Sequence, residues 1–583
     1  MSSSKIFYKW HGNRRAEGDH KKYLKRGASV DEPLIQDIAA NIGDLWENEG
    51  LDGLSEAVLI NSLSPGFDEE WEANGFLDEI LAYYTDYANE KLGSVTTIES
   101  KIYGGPDVPP LLRLSFAANL DCLEEGQEPP VLLLYTHADI QPFKTDQWTT
   151  TEDPLTTERI ITEARDGLYG RGTTDDKYAF FASIIAIQTL IELDLCYPTI
   201  HLLVETEEES GSGSLGMQLE EVLVDIKTSP TIVYVLDSGG PDNTHVWNTR
   251  TLRGAVLGDL TVRIGESDAH SGVTGGVIPS PFRIMNNIIA DFIEDPQTGT
   301  VIAPSFAYEP TAADLDSARS LAQLLGDAVY TALPFVDGAL PLFDATQTPT
   351  EDDITNMLVR NYYQPSFVIT GWDHDVIPAL SGGQVIQPYI KVRITIRSSP
   401  YLEDVNAAFD ELKAVIEEQT KGLYHGAEVA LDRIFSLPGF AADPLPAWYS
   451  DIVNEVATIM YDGNPMLDSG LGGTIGFLRT IQDKIAEYDS STNNGRRMMK
   501  PKKGKKGKDK CGDDDDTEEE TSGGTIFHNT GLFDPSSNGH AADESLDVDA
   551  VKKFNTVLAY TIHKSTTAAI AGEASRRGLR KCK

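Results

Sequence analysis

Cysteine is scarce in this 583-residue chain: Cys122, Cys196, Cys511 and Cys582 lie far apart and share no paired spacing. That pattern argues against a disulfide framework or a closed thiolate metal site, and a reducing compartment is the simpler expectation. No apolar run approaches the ~20 residues needed to cross a bilayer, so no membrane partner is expected. The opening Met1–Trp10 stretch has no apolar run ahead of a small-residue cleavage site. No secretory signal is therefore read there, and a cytoplasmic location is expected. Positive charge is also short, with 48 Lys and Arg against 91 Asp and Glu and a formal net charge of −43. Phosphate would be repelled at long range, which argues against nucleic acid as a partner.

A chain of this length exceeds one ordinary core, so two or three domains are expected. From about Leu132 to Asp237 short apolar runs alternate with helical stretches. Val131–Tyr135, Thr199–Val204 and Ile232–Leu236 read as buried strands, and Tyr178–Leu195 as a helix. This alternation predicts an α/β domain with a mostly parallel sheet covered by helices. After Asp237 the texture changes. Gly258–Ile264 and Gln387–Arg397 alternate like half-exposed strands, with helical segments over Pro281–Ile293 and Leu402–Gln419. An inserted α+β domain is placed at 250–440, between catalytic parts at 1–249 and 441–583. Residues from about 490 to 524 hold a lysine-rich run and then an almost wholly acidic one, too poor in apolar residues to fold, and a disordered loop is predicted.

Polar residues gather where the apolar runs stop. His137-Ala138-Asp139, Glu207-Glu208-Glu209-Ser210-Gly211 and Asp237 follow strands, at the carboxyl ends where open α/β sheets bind ligands. Thr174-Asp175-Asp176-Lys177 and His540 in Gly-His-Ala-Ala-Asp-Glu-Ser complete a set of imidazoles and carboxylates. Such a set suits two divalent cations, Zn²⁺ first and Mn²⁺ second. In His137-x-Asp139 the aspartate is positioned to accept the free imidazole N–H. A carboxylate such as Asp175 has two oxygens and can bridge two cations. Glu208 and Glu209 are adjacent, so in extended backbone one would bind metal while the other faces water held between the ions. An acidic helix N-terminus is the plainer reading of a bare glutamate run.

In order and context these segments resemble the M20 family of metallopeptidases, in its carnosinase-like (cytosolic nonspecific dipeptidase) branch. The likeness runs from residue 132 to 546 and includes Ala-His-Ser-Gly-Val-Thr-Gly-Gly around His270. It implies that His137 and Asp237 bind one zinc and Glu209 and His540 the other, with Asp175 bridging. It further implies that Asp139 orients His137, that Glu208 is the general base, and that the Asp175–Asp176 peptide is cis. By the same resemblance His270 reaches a neighbouring subunit's site to stabilise an oxyanion, and Arg397 grips the substrate's terminal carboxylate. Gly473 and Thr474 would lie along the substrate backbone, and the insertion would act as a lid and homodimer contact.

Two departures stand out: Tyr178 occupies a position where the family has glycine, adding bulk beside Asp175, and Gly472–Gly476 lacks the family's proline. The expected activity is hydrolysis of dipeptides or short peptides. An N-acyl-amino-acid deacylase on the same metals and a catalytically inactive binding relative stay open as alternatives.

Overall fold

The computed structural model describes residues 31–123, 129–331, 349–373, 383–498 and 524–581, with positions 335, 336, 338, 339 and 341 besides. Its central sheet has six strands in the order Ile98–Gly105, Val108–Phe116, Thr199–Glu205, Val131–His137, Ile232–Val235 and Ile526–Asn529. The last four run parallel, and an antiparallel hairpin forms the other edge. The apolar runs are continuous because both faces are covered. Leu132 and Leu134 point into a layer with helices Glu32–Leu45, Lys177–Glu192, Ala447–Met460 and Val548–Lys581. Leu133 and Tyr135 point the other way, toward Leu215–Ile226 and Gly476–Met498. Lys177–Glu192 is buried on every side over residues 177–190, which accounts for its predominantly apolar character.

At Gly254 the chain enters a second sheet, antiparallel throughout, ordered Ser366–Trp372, Tyr389–Ser398, Gly254–Arg263 and Glu428–Leu437. Strict alternation along Tyr389–Ser398 buries Ile390, Val392, Ile394 and Ile396. These side chains pack with Ile288 and Phe409 of helices Pro281–Phe292 and Val405–Gln419. On the other face, Asp259 pairs with Lys391 and Arg393. The architecture is therefore α/β with a mostly parallel central sheet plus an α+β insertion.

The middle of the insertion behaves differently. Helices Ala312–Leu325 and Glu351–Tyr362 leave the antiparallel sheet and pack with Trp247 and Leu467. Those two residues sit in a three-stranded sheet of Phe440–Ala441, Trp247–Leu252 and Leu467–Leu471 that joins the first catalytic part to the last.

Two expectations need correction. Cys122 and Cys196 form a disulfide, with Cα atoms 6.1 Å apart. The cysteines, 74 residues apart in sequence, meet because Asn119 pairs with Tyr197 just beyond the Val108–Phe116 and Thr199–Glu205 strands. Helix Gly476–Met498 also extends through the first residues of the predicted charged loop, while residues 499–523 of that loop lie outside the described residues. Among the described residues no helix is long and apolar enough to cross a membrane.

The packing of the buried helix gives a direct check on this core. Phe180 stacks on Tyr84 with ring centroids 3.8 Å apart, and both rings are fully buried. Phe180→Ala is expected to lower unfolding free energy by about 3–5 kcal/mol, measured by denaturant titration.

Candidate active site

The sheet order sets out the candidate residues side by side. His137 ends its strand, Glu208 and Glu209 lie on the turn after Thr199–Glu205, and Asp237 follows Ile232–Val235. His540 lies on the loop after Ile526–Asn529. Asp175 comes from the loop that enters helix Lys177–Glu192, and the Asp175–Asp176 peptide bond is cis. The backbone at Glu208–Ser210 is a 3₁₀ turn rather than the extended chain expected. The two glutamates still diverge, Glu208 toward His137 and Asp237 and Glu209 toward Asp175 and His540. His137, Glu208 and Asp237 form one group whose nearest donor atoms all lie within 4.8 Å, and Asp175, Glu209 and His540 form another.

Asp175 stands between the groups. Its Oδ1 is 3.1 Å from His137 Nε2, and its Oδ2 is 2.9 Å from His540 Nε2. His540 Nε2 is also 3.0 Å from Glu209 Oε2, and His137 Nε2 is 3.9 Å from Asp237 Oδ1. Asp175 Oδ2 is buried and lacks a partner in hydrogen-bonding geometry. The other ring nitrogen of His137, Nδ1, sits 3.0 Å from the carbonyl oxygen of Asp139 and 3.3 Å from its Oδ1. With its proton on Nδ1, the ring directs its Nε2 lone pair at carboxylate oxygens. Acceptors that converge in this way require a shared positive charge, and an all-nitrogen-and-oxygen donor set fits divalent cations.

The electrostatics agree. Burial opposes charging of His137, but the carboxylates of Asp139, Asp175 and Asp237 outweigh it and raise its proton affinity well above the ordinary value. Burial likewise opposes charge on His540, yet Asp175 and Glu209 push it up to about 10. Burial drives Glu208 and Asp237 well above the usual carboxylate range, against the pull of His137 and with the help of neighbouring carboxylates. For Asp175 the two imidazoles overcome burial and hold the group below that range.

Several supporting residues were not assigned roles from the sequence. Glu544 is fully buried against Arg171, 2.7 Å away, and accepts the N–H groups of Gly172, Thr174 and Asp175. It fixes the loop that presents Asp175. Its position four residues after His540 was a signal, but its partner Arg171 is 373 residues away in sequence. Asp139 accepts the N–H of Glu209 at 3.0 Å and of Glu208 at 3.3 Å, so it steadies the turn as well as His137. Asp176 accepts the Thr136 hydroxyl at 2.6 Å, and Gln141 donates to Glu209 at 2.6 Å. Lys144 Nζ donates to the His540 carbonyl oxygen at 2.7 Å.

Tyr178 places its bulk below the cleft rather than in it. Its hydroxyl donates to the Leu236 carbonyl at 2.7 Å and accepts the Leu532 N–H at 3.2 Å, tying the residue before Asp237 to the loop that leads to His540.

A cavity of about 860 Å³ opens over both groups, and Gly473 and Thr474 line it. Arg397 is absent from the lining but donates to Thr474 Oγ1 at 2.6 Å. Behind it Arg253 donates to the Gly472 carbonyl, and burial beside Arg397 lowers Arg253 to about 10. His270 lies elsewhere. It is exposed on the Ala269–His270 strand of the insertion, its Nδ1 accepts the Gly272 N–H at 3.1 Å, and it does not line this cavity.

The model of peptidase family M20/M25/M40 matches residues 133–439. A Cys-Gly metallodipeptidase of Schizosaccharomyces pombe is 23% identical over 440 residues, 72% of this chain and 84% of the relative. A beta-Ala-His dipeptidase of Mus musculus is 27% identical over 276 residues, covering 45% of this chain and 51% of the relative. The match to a probable di- and tripeptidase of Saccharomyces cerevisiae, 25% identical, spans 61% of this chain but only 37% of that protein. In fold, the chain is similar to human carnosine dipeptidase 1, with TM-score 0.60, 17% identity and coverage of 91% and 100%. A dipeptidase from Saccharomyces cerevisiae gives TM-score 0.61 at 18% identity, covering 91% and 98%.

The supports can be tested apart from catalysis. Glu544→Ala strands the Arg171 guanidinium in the interior and is expected to cost about 3–5 kcal/mol of stability, measured by denaturant unfolding. Tyr178→Phe keeps the ring but leaves the Leu236 carbonyl and Leu532 amide unpaired. A loss of about 1–3 kcal/mol is expected, and an unchanged melting curve would remove the hydroxyl from the account.

Proposed function

The chain belongs to peptidase family M20/M25/M40, and on that premise we propose that it hydrolyses the peptide bond of dipeptides or short peptides at a pair of divalent cations, zinc first and manganese second. The observation that carries this reading is Asp175, whose two carboxylate oxygens face two different imidazoles, each backed by a further carboxylate. On this reading His137 and Asp237 would hold one ion and Glu209 and His540 the other, with Asp175 available to both. Divalent cations held there would supply Lewis-acid chemistry, polarising a scissile carbonyl and acidifying water. The names of the relatives, which include Cys-Gly and beta-Ala-His dipeptidases, support a short peptide as substrate.

Glu208 is assigned as general base. It lies beside Glu209 on the turn that Asp139 fixes, and its carboxyl opens onto the cavity. Burial raises its affinity for a proton, which suits a group that takes one from the attacking water and returns it to the leaving amine. Asp139 is assigned the positioning of His137. Arg397, half-buried against Thr474, supplies a guanidinium for the substrate's terminal carboxylate, with Gly473 and Thr474 beside the peptide backbone. His270 belongs to the same reading as the oxyanion donor of a second copy, which makes the working enzyme a homodimer.

Glu208→Gln is expected to lower kcat by about 10²–10⁴-fold on a dipeptide such as Ala-Ala. Bound metal, read by mass spectrometry of the purified protein, is expected to match wild type. Retention of most of the activity would remove Glu208 from the role of base. Chelation is expected to abolish turnover and added Zn²⁺ or Mn²⁺ to restore it, and faster turnover of N-acetyl amino acids than of dipeptides would move the substrate class to the deacylase alternative.

A further inference from the structure

Two aromatic side chains at the mouth of the cavity stand well out in solvent: Phe67 is 44% exposed and Phe435 is 43% exposed. Single exposed apolar residues are ordinary, but these two flank the same catalytic turn. Gly66, just before Phe67, donates its N–H to Ser210 Oγ at 2.7 Å, which anchors that loop next to Glu209. Phe435 arrives from the insertion on strand Glu428–Leu437, and its ring lies 3.5 Å from where a Cβ on Gly211 would sit. A bulge between Arg433 and Phe435 interrupts the strand register there. Phe435 and Leu437, two residues apart and so on one face, both line the cavity, and Ile475 and Phe533 continue the apolar wall.

Charge on that wall is as informative. Outside the candidate metal and base residues, the only ionisable side chain among the described lining residues is Asp534. Its carboxylate is buried and already accepts from the Ser536 amide and the Asn243 side chain. With Arg397, behind Thr474, given to the terminal carboxylate, a charged substrate side chain would find no free partner among the described lining residues, whereas an apolar one would cover two exposed rings.

Resting on the peptidase reading above, we infer that this cleft selects peptides with a bulky uncharged side chain, aromatic or branched aliphatic, next to the scissile bond. Phe67 from the catalytic domain and Phe435 from the insertion form its walls.

The test compares kcat/KM for Leu-Leu, Phe-Phe, Gly-Gly, Asp-Asp and Lys-Lys with metal-loaded wild type, Phe67→Ala, Phe435→Ala and Phe435→Leu. Wild type is expected to favour Leu-Leu and Phe-Phe over the other three by about tenfold or more. Each alanine variant is expected to cut the Leu-Leu to Gly-Gly ratio by roughly tenfold, mainly through KM, and Phe435→Leu to restore most of it. Dipeptide cleavage without apolar preference, or alanine variants that slow every substrate alike, would overturn the subsite and leave the peptidase reading intact. Failure of metal-loaded wild type to cleave any of the five would overturn both.

Discussion

Carboxylates repel one another, and this fold crowds Asp139, Asp175, Asp176, Glu208, Glu209 and Asp237 around two imidazoles at the ends of neighbouring strands. In a low-dielectric interior that concentration of like charge is strongly unfavourable unless each oxygen finds a donor or a cation. Much of the surrounding structure supplies those donors. Backbone amides go to Asp139 and Glu544, the Thr136 hydroxyl goes to Asp176, and the buried Arg171 guanidinium offsets Glu544. What they leave facing one another, the two Asp175 oxygens and two imidazole nitrogens 3.1 and 2.9 Å away, marks where positive charge belongs. The donor inventory of the site and its fitness for metal are one observation.

Legibility from sequence followed the range of the forces involved. Strands and helices of the α/β part are readable because burial on both faces leaves predominantly apolar segments, as in Val131–Tyr135 and Lys177–Glu192. The candidate ligands His137, Glu208, Glu209 and Asp237 are legible because they follow such runs, whereas Asp175 and His540 lie on loops and are brought to them by the fold. Long-range pairings were not. Arg171 with Glu544, Asn119 with Tyr197 and the Cys122–Cys196 disulfide depend on which strands become neighbours, and local pattern carries no trace of that. Tyr178 was read as added bulk because a hydroxyl's partners are invisible until the Leu236 and Leu532 segments converge on it. The helix pair Ala312–Leu325 and Glu351–Tyr362 has ordinary amphipathic character, so its choice of the Trp247 sheet over the insertion's own sheet is a tertiary decision.

The two domains meet at chemistry rather than merely at a boundary. Strand Trp247–Leu252 pairs with Phe440–Ala441 and Leu467–Leu471, so the chain leaves for the insertion and returns through one small sheet. That sheet carries Leu471 and Leu252 into the cavity wall, while the insertion's last strand delivers Phe435 and Leu437 to it. Arg253, at the departure point, is gripped by carbonyls of Gly472, Arg360 and Gln364. Across the boundary Arg253 thus holds the Gly472–Thr474 loop that lines the cavity, through the Gly472 carbonyl and the Thr474 hydroxyl.

The strand Ile526–Asn529, added at the sheet's edge beside Ile232–Val235, has a consequence for biogenesis. A ribosome releases His137, Asp175, Glu209 and Asp237 hundreds of residues before it releases His540. The cluster therefore stays short of an imidazole, with its carboxylates facing one another, until the segment that carries His540 docks beside Ile232–Val235.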